Sequence, residues 1–287
     1  MRNAHGRYDA VVAVGDAFAL ALALAARERT VFVGTAKSVY VAPYGAFERT
    51  LLRRALRRFV RDVPTAERLR GEGVAAEAPG NVIVDMVRAG AGPAGTWLGI
   101  LPGSRTETYA DVVRLARVAR ALGALRPELG GLVSIAPTVD VARVARTLAA
   151  DGWAIEPGDG DVPFRARTAT TQLLAWGGAF GALLDSSVAI LGQAGTANEQ
   201  AAAYGVPVVA LRSTSTGRED WYRMRQRRLL GDALLLVSPE PDRAAAAIDA
   251  LLADDRTLRR MRAAGPARMG PPGGAAIIAQ AILEAAA

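Results

Sequence analysis

Short apolar runs alternate with amphipathic segments along most of the chain. In the second half, each predicted strand is followed by a predicted helix; these strands lie at 98–101, 132–136, 172–176, 188–191, 206–211 and 233–237. Strands that alternate with helices in this way indicate a parallel sheet that is covered by helices on both faces. The second half therefore predicts an α/β, Rossmann-type domain.

The first half of the chain has fewer apolar runs. Predicted strands at 8–14, 30–34, 58–62 and 81–84 are joined by helices near 18–26, 47–56 and 64–70. The usual opening unit of a Rossmann-type domain, a strand with a Gly-rich turn and a first helix, is not found. We therefore expect residues 1–90 to be the back part of such a domain without its front, with an apolar sheet edge exposed.

The segment between the halves, Arg88–Gly95 (RAGAGPAG), contains the spacing G-x-G-x-x-G. This motif binds dinucleotides only between a strand and a helix. Here a proline interrupts the motif and a strand follows it. We interpret the segment as a linker, which gives a partial N-terminal domain over 1–90 and a C-terminal domain over 96–287.

Residues 188–211 carry the strongest chemical signal. A strand leads through a Gly/Thr turn into a helix that begins at about Thr196, and a second strand follows. Such a turn leaves backbone N–H groups at the positive end of the helix dipole, which suits a phosphate. Glu199 lies about one turn into the helix, where a carboxylate can reach a ribose diol. The segment indicates a nucleotide-linked substrate.

The segment Leu98–Thr108 (LGILPGSRTET) has a similar strand–turn–helix order. Gly103 allows close approach of a ligand to the backbone, Ser104 can donate its hydroxyl, and Arg105 can hold a phosphate with two hydrogen bonds. Glu107 is an acid in the first turn and a candidate capping residue. An ordinary αβ turn with a surface arginine remains the alternative.

Composition excludes several kinds of chemistry. The chain has no cysteine and one histidine, His5, so a thiol nucleophile and thiolate zinc sites are excluded and a Ser-His-Asp triad would depend on His5. The net charge of +7 comes almost entirely from arginine. It fits phosphorylated partners or simple compositional drift, and no motif supports specific recognition of nucleic acid.

The two turn segments together resemble lipid-A-disaccharide synthases and their synthase-related branch, which have the GT-B glycosyltransferase fold. The resemblance runs from about Tyr8 to the C-terminus; further matching segments are Phe59–Thr65 (FVRDVPT), Pro79–Asp85 (PGNVIVD) and Gln226–Gly231 (QRRLLG). It implies a GT-B-like fold of two Rossmann-type parallel-sheet domains, here with the N-terminal one incomplete. It also implies transfer of a sugar from a UDP-sugar to a glycolipid-type acceptor, without a metal or other cofactor.

The resemblance assigns roles to individual residues. It implies pyrophosphate contacts at Gly103, Ser104, Arg105, Gly195 and Thr196, a ribose contact at Glu199, and further nucleotide-sugar contacts at Gln193 and Gln200. The family's candidate base follows a strand of the N-terminal domain in a G-x-D context, and the matching residue here is Asp16. A carboxylate there can take the proton of the acceptor hydroxyl. Aspartate is also a good helix N-cap, and the two roles are compatible.

Departures from the family pattern leave alternatives open. The Gly-rich first segment has no counterpart, and Val82 replaces the usual proline after the Gly-Asn pair. A nucleotide-sugar binder without catalysis, or a degenerate remnant, is therefore an alternative. A UDP-sugar 2-epimerase is another alternative. Such an enzyme needs a histidine in the cleft between its two domains, and that histidine is lacking here.

The predicted helix 47–58 (FERTLLRRALRR) alternates leucines with arginine pairs. It favours either an anionic membrane surface as a partner or a solvated basic face. No apolar run reaches the roughly 18–20 residues of a membrane span. With no signal-peptide pattern either, we expect a cytoplasmic protein, peripheral on the inner face of the cell membrane if the helix binds lipid.

Overall fold

A computed structural model describes residues 8–26, 29–87, 89–213 and 217–287, without the side chains of Arg218 and Glu219. His5 lies outside the described residues. Contacts between Cα atoms divide the chain into two compact units. Unit 1 consists of Met1–Met86 with Ala267–Ala287, and unit 2 is Val87–Pro266.

The secondary structure follows the predicted alternation. The first elements are β1 (Ala10–Gly15), α1 (Ala17–Ala25), β2 (Arg29–Gly34), α2 (Ala46–Leu52), β3 (Arg57–Val60) and α3 (Val63–Gly71). They are followed by β4 (Trp97–Leu101), α4 (Thr108–Leu125), β5 (Gly130–Ser134), α5 (Val141–Ala150), β6 (Ala154–Asp159), β7 (Val162–Arg167), β8 (Gln172–Trp176) and α6 (Phe180–Asp185). The last are β9 (Ser187–Gly192), α7 (Thr196–Ala203), β10 (Val208–Leu211), α8 (Arg218–Leu230), β11 (Leu234–Val237), α9 (Pro241–Ala253), α10 (Asp255–Met269) and α11 (Gly274–Ala286).

Unit 1 contains a parallel sheet in the order β1-β2-β3. Because side chains alternate along a strand, β2 contributes side chains to the cores on both faces of this sheet. Phe32 packs with the buried leucines of α1–α3, whereas Val31 and Val33 pack against α11. The helix α11 therefore completes the second face of a sheet that begins more than two hundred residues earlier in the chain.

The division into units differs from the predicted boundaries in one respect. The sequence groups residues 96–287 together, whereas the contacts place Ala267–Ala287 in unit 1. The physical reason is that α11 buries Ile278, Ala281 and Ala285 against the core of the three-stranded sheet. No amphipathic pattern within α11 alone indicates which sheet it covers.

Two local predictions are wrong. Residues 81–84 form a turn rather than a strand, because the side-chain Oδ1 of Asn81 accepts a hydrogen bond from the Ile83 amide at 3.3 Å and its carbonyl accepts one from the Val84 amide at 2.9 Å. The helix predicted over 47–56, with a basic face continuing to residue 58, ends at Leu52 in the structure. The chain then enters β3, which starts at Arg57 and pairs with β2.

Unit 2 contains an eight-stranded sheet around a large apolar core. All of its strands run in the same direction except β7, which is antiparallel to both β8 and β6 and forms a hairpin with β6 at one edge. This hairpin is not among the strands predicted from the sequence. Gly160, with a positive φ of 54°, allows the tight turn between the two strands.

Candidate functional site

The order of strands in unit 2 reverses at one point. The sheet has the order β11-β10-β9-β4-β5-β8-β7-β6. From β4 the chain proceeds to β5 and β8 on one side, whereas β9 returns to the other side of β4 and leads to β10 and β11. Ligands of open parallel sheets bind at the carboxyl ends of the strands, at such a switch point. The turns after β4 and β9 therefore frame the candidate site.

The two predicted turns lie side by side. The amides of Gln193 and Ala194 both donate to the carbonyl of Leu101, at 2.9 and 3.2 Å. Gly103 has a positive φ of 106°, and a Cβ atom at this position would lie 3.9 Å from the Cα of Ala194. The positive φ, rather than a lack of space, is what favours glycine at this position.

The turn after β9 opens directly into α7. Gly195 is the N-cap residue, with φ −85° and ψ −90°, and no side chain caps this helix within the described part of the chain. Gly195 and Thr196 are exposed. The start of α7 therefore presents backbone amides at the positive end of the helix, as an anion site requires.

The turn after β4 presents polar side chains. Ser104 and Arg105 are exposed at the start of α4. Beneath them the hydroxyl of Thr108 is buried, 3.7 Å from the position of a Cβ on Gly103. Glu107 occupies the N-cap position of α4, but its side chain forms no capping hydrogen bond, so its predicted capping role is wrong.

The remaining candidates of unit 2 lie on the same turn and helix. Glu199 and Gln200 are half-buried on α7. Gln193 is only 7% exposed, and its Nε2 donates to the carbonyl of Leu211 at 3.5 Å. Its Oε1 has no hydrogen-bond partner among the described residues, which leaves one buried acceptor in the turn.

Sequence reasoning missed the contribution of α8. Its Arg223 and Gln226 donate hydrogen bonds to carbonyl groups of the turn after β9. Gln226 begins the QRRLLG segment that carries part of the family resemblance, and this was the available signal. Its spacing of about 30 residues from the turn gave no indication of contact.

The candidate base Asp16 belongs to unit 1, whereas the other candidates belong to unit 2. Asp16 is exposed at the carboxyl end of β1, and its Oδ1 accepts hydrogen bonds from the amides of Phe18 and Ala19 at 3.0 and 3.3 Å. The N-cap role predicted for Asp16 is confirmed. In the same unit, burial raises the pKa of Tyr44, and the negative charge of Asp16 contributes in the same direction.

Comparisons with solved structures identify the fold. A co-structure of S. aureus MnaA with UDP superimposes with a TM-score of 0.59 at 15% identity, covering 96% of this chain and 74% of that one. The UDP-GlcNAc 2-epimerase from Neisseria meningitidis bound to UDP-GlcNAc gives 0.55 at 14% identity, with coverages of 96% and 76%. The glycosyltransferase SnogD from Streptomyces nogalater gives 0.51 at 18% identity, with coverages of 97% and 73%.

These similarities establish that the chain has a GT-B-like α/β fold with Rossmann-like parallel sheets. No family model matches the sequence, and no curated protein matches it either. The resemblance to lipid-A-disaccharide synthases thus rests on the sequence motifs alone. No helix in the described ranges is both long and apolar enough to cross a membrane.

Proposed function

We propose that this protein binds a UDP-sugar at the switch point of unit 2 and transfers the sugar to a glycolipid-type acceptor. One observation carries the proposal. The turns after β4 and β9, each predicted as a phosphate site, lie side by side where the strand order reverses. Two amides of the second turn donate to the carbonyl of Leu101, at the end of β4. Structural neighbours of the same fold are described with bound UDP or UDP-GlcNAc. Because their identity to this chain is low, these neighbours support only the fold. The proposed ligand rests on the sequence motifs.

In this proposal each turn holds part of the diphosphate. The exposed amides of Gly195 and Thr196 and the hydroxyl of Ser104 donate hydrogen bonds to phosphate oxygens, and Arg105 neutralises their charge. Glu199 accepts hydrogen bonds from the ribose diol. Gln193 and Gln200 complete the contacts to the nucleotide-sugar.

The proposed reaction is a direct displacement at the anomeric carbon. The acceptor oxygen forms a bond to that carbon while the bond to the UDP oxygen breaks, and the acceptor proton passes to the carboxylate of Asp16. Negative charge develops on the departing UDP, where Arg105 and the positive ends of α4 and α7 stabilise it. The acceptor class, an acylated sugar or glycolipid, comes from the family resemblance. The proposal also includes a peripheral position on an anionic membrane surface, which rests on the leucines and arginine pairs of residues 47–58.

The nucleotide site is tested by isothermal titration of UDP into the wild type and Arg105→Ala. We expect binding by the wild type and at least about tenfold weaker binding by the variant, because a charge-assisted contact is lost. Arg260→Ala is the matched control, since its side chain is also exposed but lies on α10 near Asp232. Equal affinity of Arg105→Ala and wild type would remove Arg105 from the site.

The reaction is tested by following UDP release from a UDP-linked acyl-glucosamine, with and without an acylated glucosamine phosphate. Release that depends on the acceptor supports transfer. Conversion of UDP-GlcNAc to its 2-epimer without an acceptor would instead support the epimerase alternative. Tight UDP binding with no turnover of either kind would support a binding protein.

A further inference from the structure

The turn after β9 is held from one side by side chains. Its four consecutive carbonyls, those of Gly192, Gln193, Ala194 and Gly195, each accept a side-chain hydrogen bond from α7 or α8. The donors are Asn198 Nδ2 to Gly192 at 3.1 Å, Arg223 Nη2 to Gln193 at 2.6 Å, and Gln226 Nε2 to Ala194 and Gly195 at 3.2 and 3.0 Å. These bonds fix the orientation of four successive peptide groups.

The two amide side chains also bind each other. Asn198 Nδ2 donates to Gln226 Oε1 at 3.2 Å, and the two residues are 0% and 8% exposed. We call Asn198 and Gln226 the amide pair. A Cβ on Gly192 would overlap Oδ1 of Asn198, so only glycine leaves room for the pair against the backbone.

The hydrogen bonds to the carbonyls also determine the direction of the amides in the same peptide groups. In a planar trans peptide the carbonyl of one residue and the amide of the next point in opposite directions, and no peptide bond here is cis. Because the carbonyls of Ala194 and Gly195 point to Gln226, the amides of Gly195 and Thr196 point away from it. These are the two amides at the exposed start of α7.

We infer that the amide pair positions the Gly195 and Thr196 amides for the diphosphate of the bound nucleotide, with Arg223 fixing the preceding peptide. The inference rests on the proposed UDP site and adds positioning residues to it. Neither member of the amide pair contacts the nucleotide: Asn198 and Gln226 act by fixing which edge of each peptide faces the ligand. A preorganised pair of donors binds an anion without the cost of ordering the turn at the moment of binding.

The test uses Gln226→Glu and Gln226→Met, with UDP as the probe. The carboxylate of the first variant accepts hydrogen bonds but cannot donate to the two carbonyls, and the second variant keeps the approximate length without any donor. At pH 8 we expect both to bind UDP about tenfold more weakly or worse, at a melting temperature that still indicates a folded protein. Gln172→Glu makes the same chemical change at an exposed position at the start of β8 and should bind like wild type.

A pH series separates positioning from general damage. Burial favours the neutral form of the introduced carboxyl group, whose O–H can again donate to a carbonyl. From pH 8 to pH 5, the affinity of Gln226→Glu relative to wild type should therefore recover, whereas that of Gln226→Met should stay low. Wild-type affinity of both folded variants at pH 8, or a deficit of Gln226→Glu that does not change with pH, would overturn the inference while leaving the UDP site intact. A wild type that binds no UDP would overturn the proposed function itself.

Discussion

Asp16 combines a structural and a proposed chemical role in one carboxylate. Its Oδ1 caps α1, and both capping bonds use this one oxygen. Asparagine caps helices as well as aspartate does, but it cannot take a proton from an acceptor hydroxyl. The substitution Asp16→Asn therefore distinguishes the two roles.

We expect Asp16→Asn to melt within a few degrees of the wild type and to bind UDP unchanged, while acceptor-dependent UDP release falls about 100-fold or more. Differential scanning calorimetry, UDP titration and the release assay measure the three quantities. Asp16→Ala should lose both stability and turnover, because it removes the cap as well. Full turnover by Asp16→Asn would assign Asp16 to capping alone.

At the scale of single residues, sequence reasoning succeeded where the cause is local. The capping role of Asp16 follows from its place between a strand and a helix. The close approach of a ligand to Gly103 stays a prediction. The contribution of Gln226 could not be predicted in this way. Its contact with Gly195 joins residues 31 positions apart, and only the packing of α8 on the sheet brings them together.

At the scale of elements, the PGNVIVD segment holds the C-terminal helix. The carboxylate of Asp85 accepts hydrogen bonds from the amides of Gly273 and Ala275 at 2.5 and 2.7 Å, where α11 begins. Gly80 lies so close that a Cβ would be 2.8 Å from the Gly274 nitrogen. The motif that contributed to the family resemblance thus has a structural role in unit 1.

We expect Asp85→Ala to lower the free energy of unfolding by about 1–2 kcal/mol, because it removes both bonds at the start of α11. Hydrogen exchange should quicken in α11 in particular. Asp140→Ala is the matched control, since Asp140 caps α5 in unit 2 by accepting from the Arg143 amide. If exchange in α11 responds equally to both substitutions, Asp85 does not hold the helix specifically.

The alternation of strands and helices was predictable because the strands of unit 2 other than β6 and β7 consist mainly of apolar residues. The hairpin β6–β7 was not, because β6 lies mostly exposed at a sheet edge and lacks such a run. The error at 81–84 has the opposite cause. Val82, Ile83 and Val84 form an apolar run, but the side chain of Asn81 closes it into a turn.

At the scale of the whole molecule, β1 is an outer strand of the first sheet in the part of the chain that the structure describes. Among the described residues, β1 pairs only with β2, and Val12 and Val14 on one of its faces are 37% and 60% exposed. An apolar sheet edge is expected from the small number of apolar runs in the first half of the sequence. An unpaired apolar strand edge favours pairing with another chain.

We therefore expect the protein to self-associate as its concentration rises and Val14→Lys to reduce this association, because a lysine on an edge strand opposes pairing. Sedimentation velocity over a concentration series measures the effect. Leu283→Lys is the control, since Leu283 is 65% exposed but lies on a helix, α11, and not on a strand. An equal reduction by both variants would attribute association to general surface hydrophobicity.

The packing of α11 on the first sheet has a consequence for synthesis on the ribosome. The strands β1–β3 emerge early, but Val31, Val33 and Phe59 remain without their helical cover until α11 has been translated. All of unit 2 is synthesised in between, and it can fold before unit 1 is complete. Apolar surface of the nascent first unit thus stays uncovered for most of translation, the interval in which chaperones bind such surfaces.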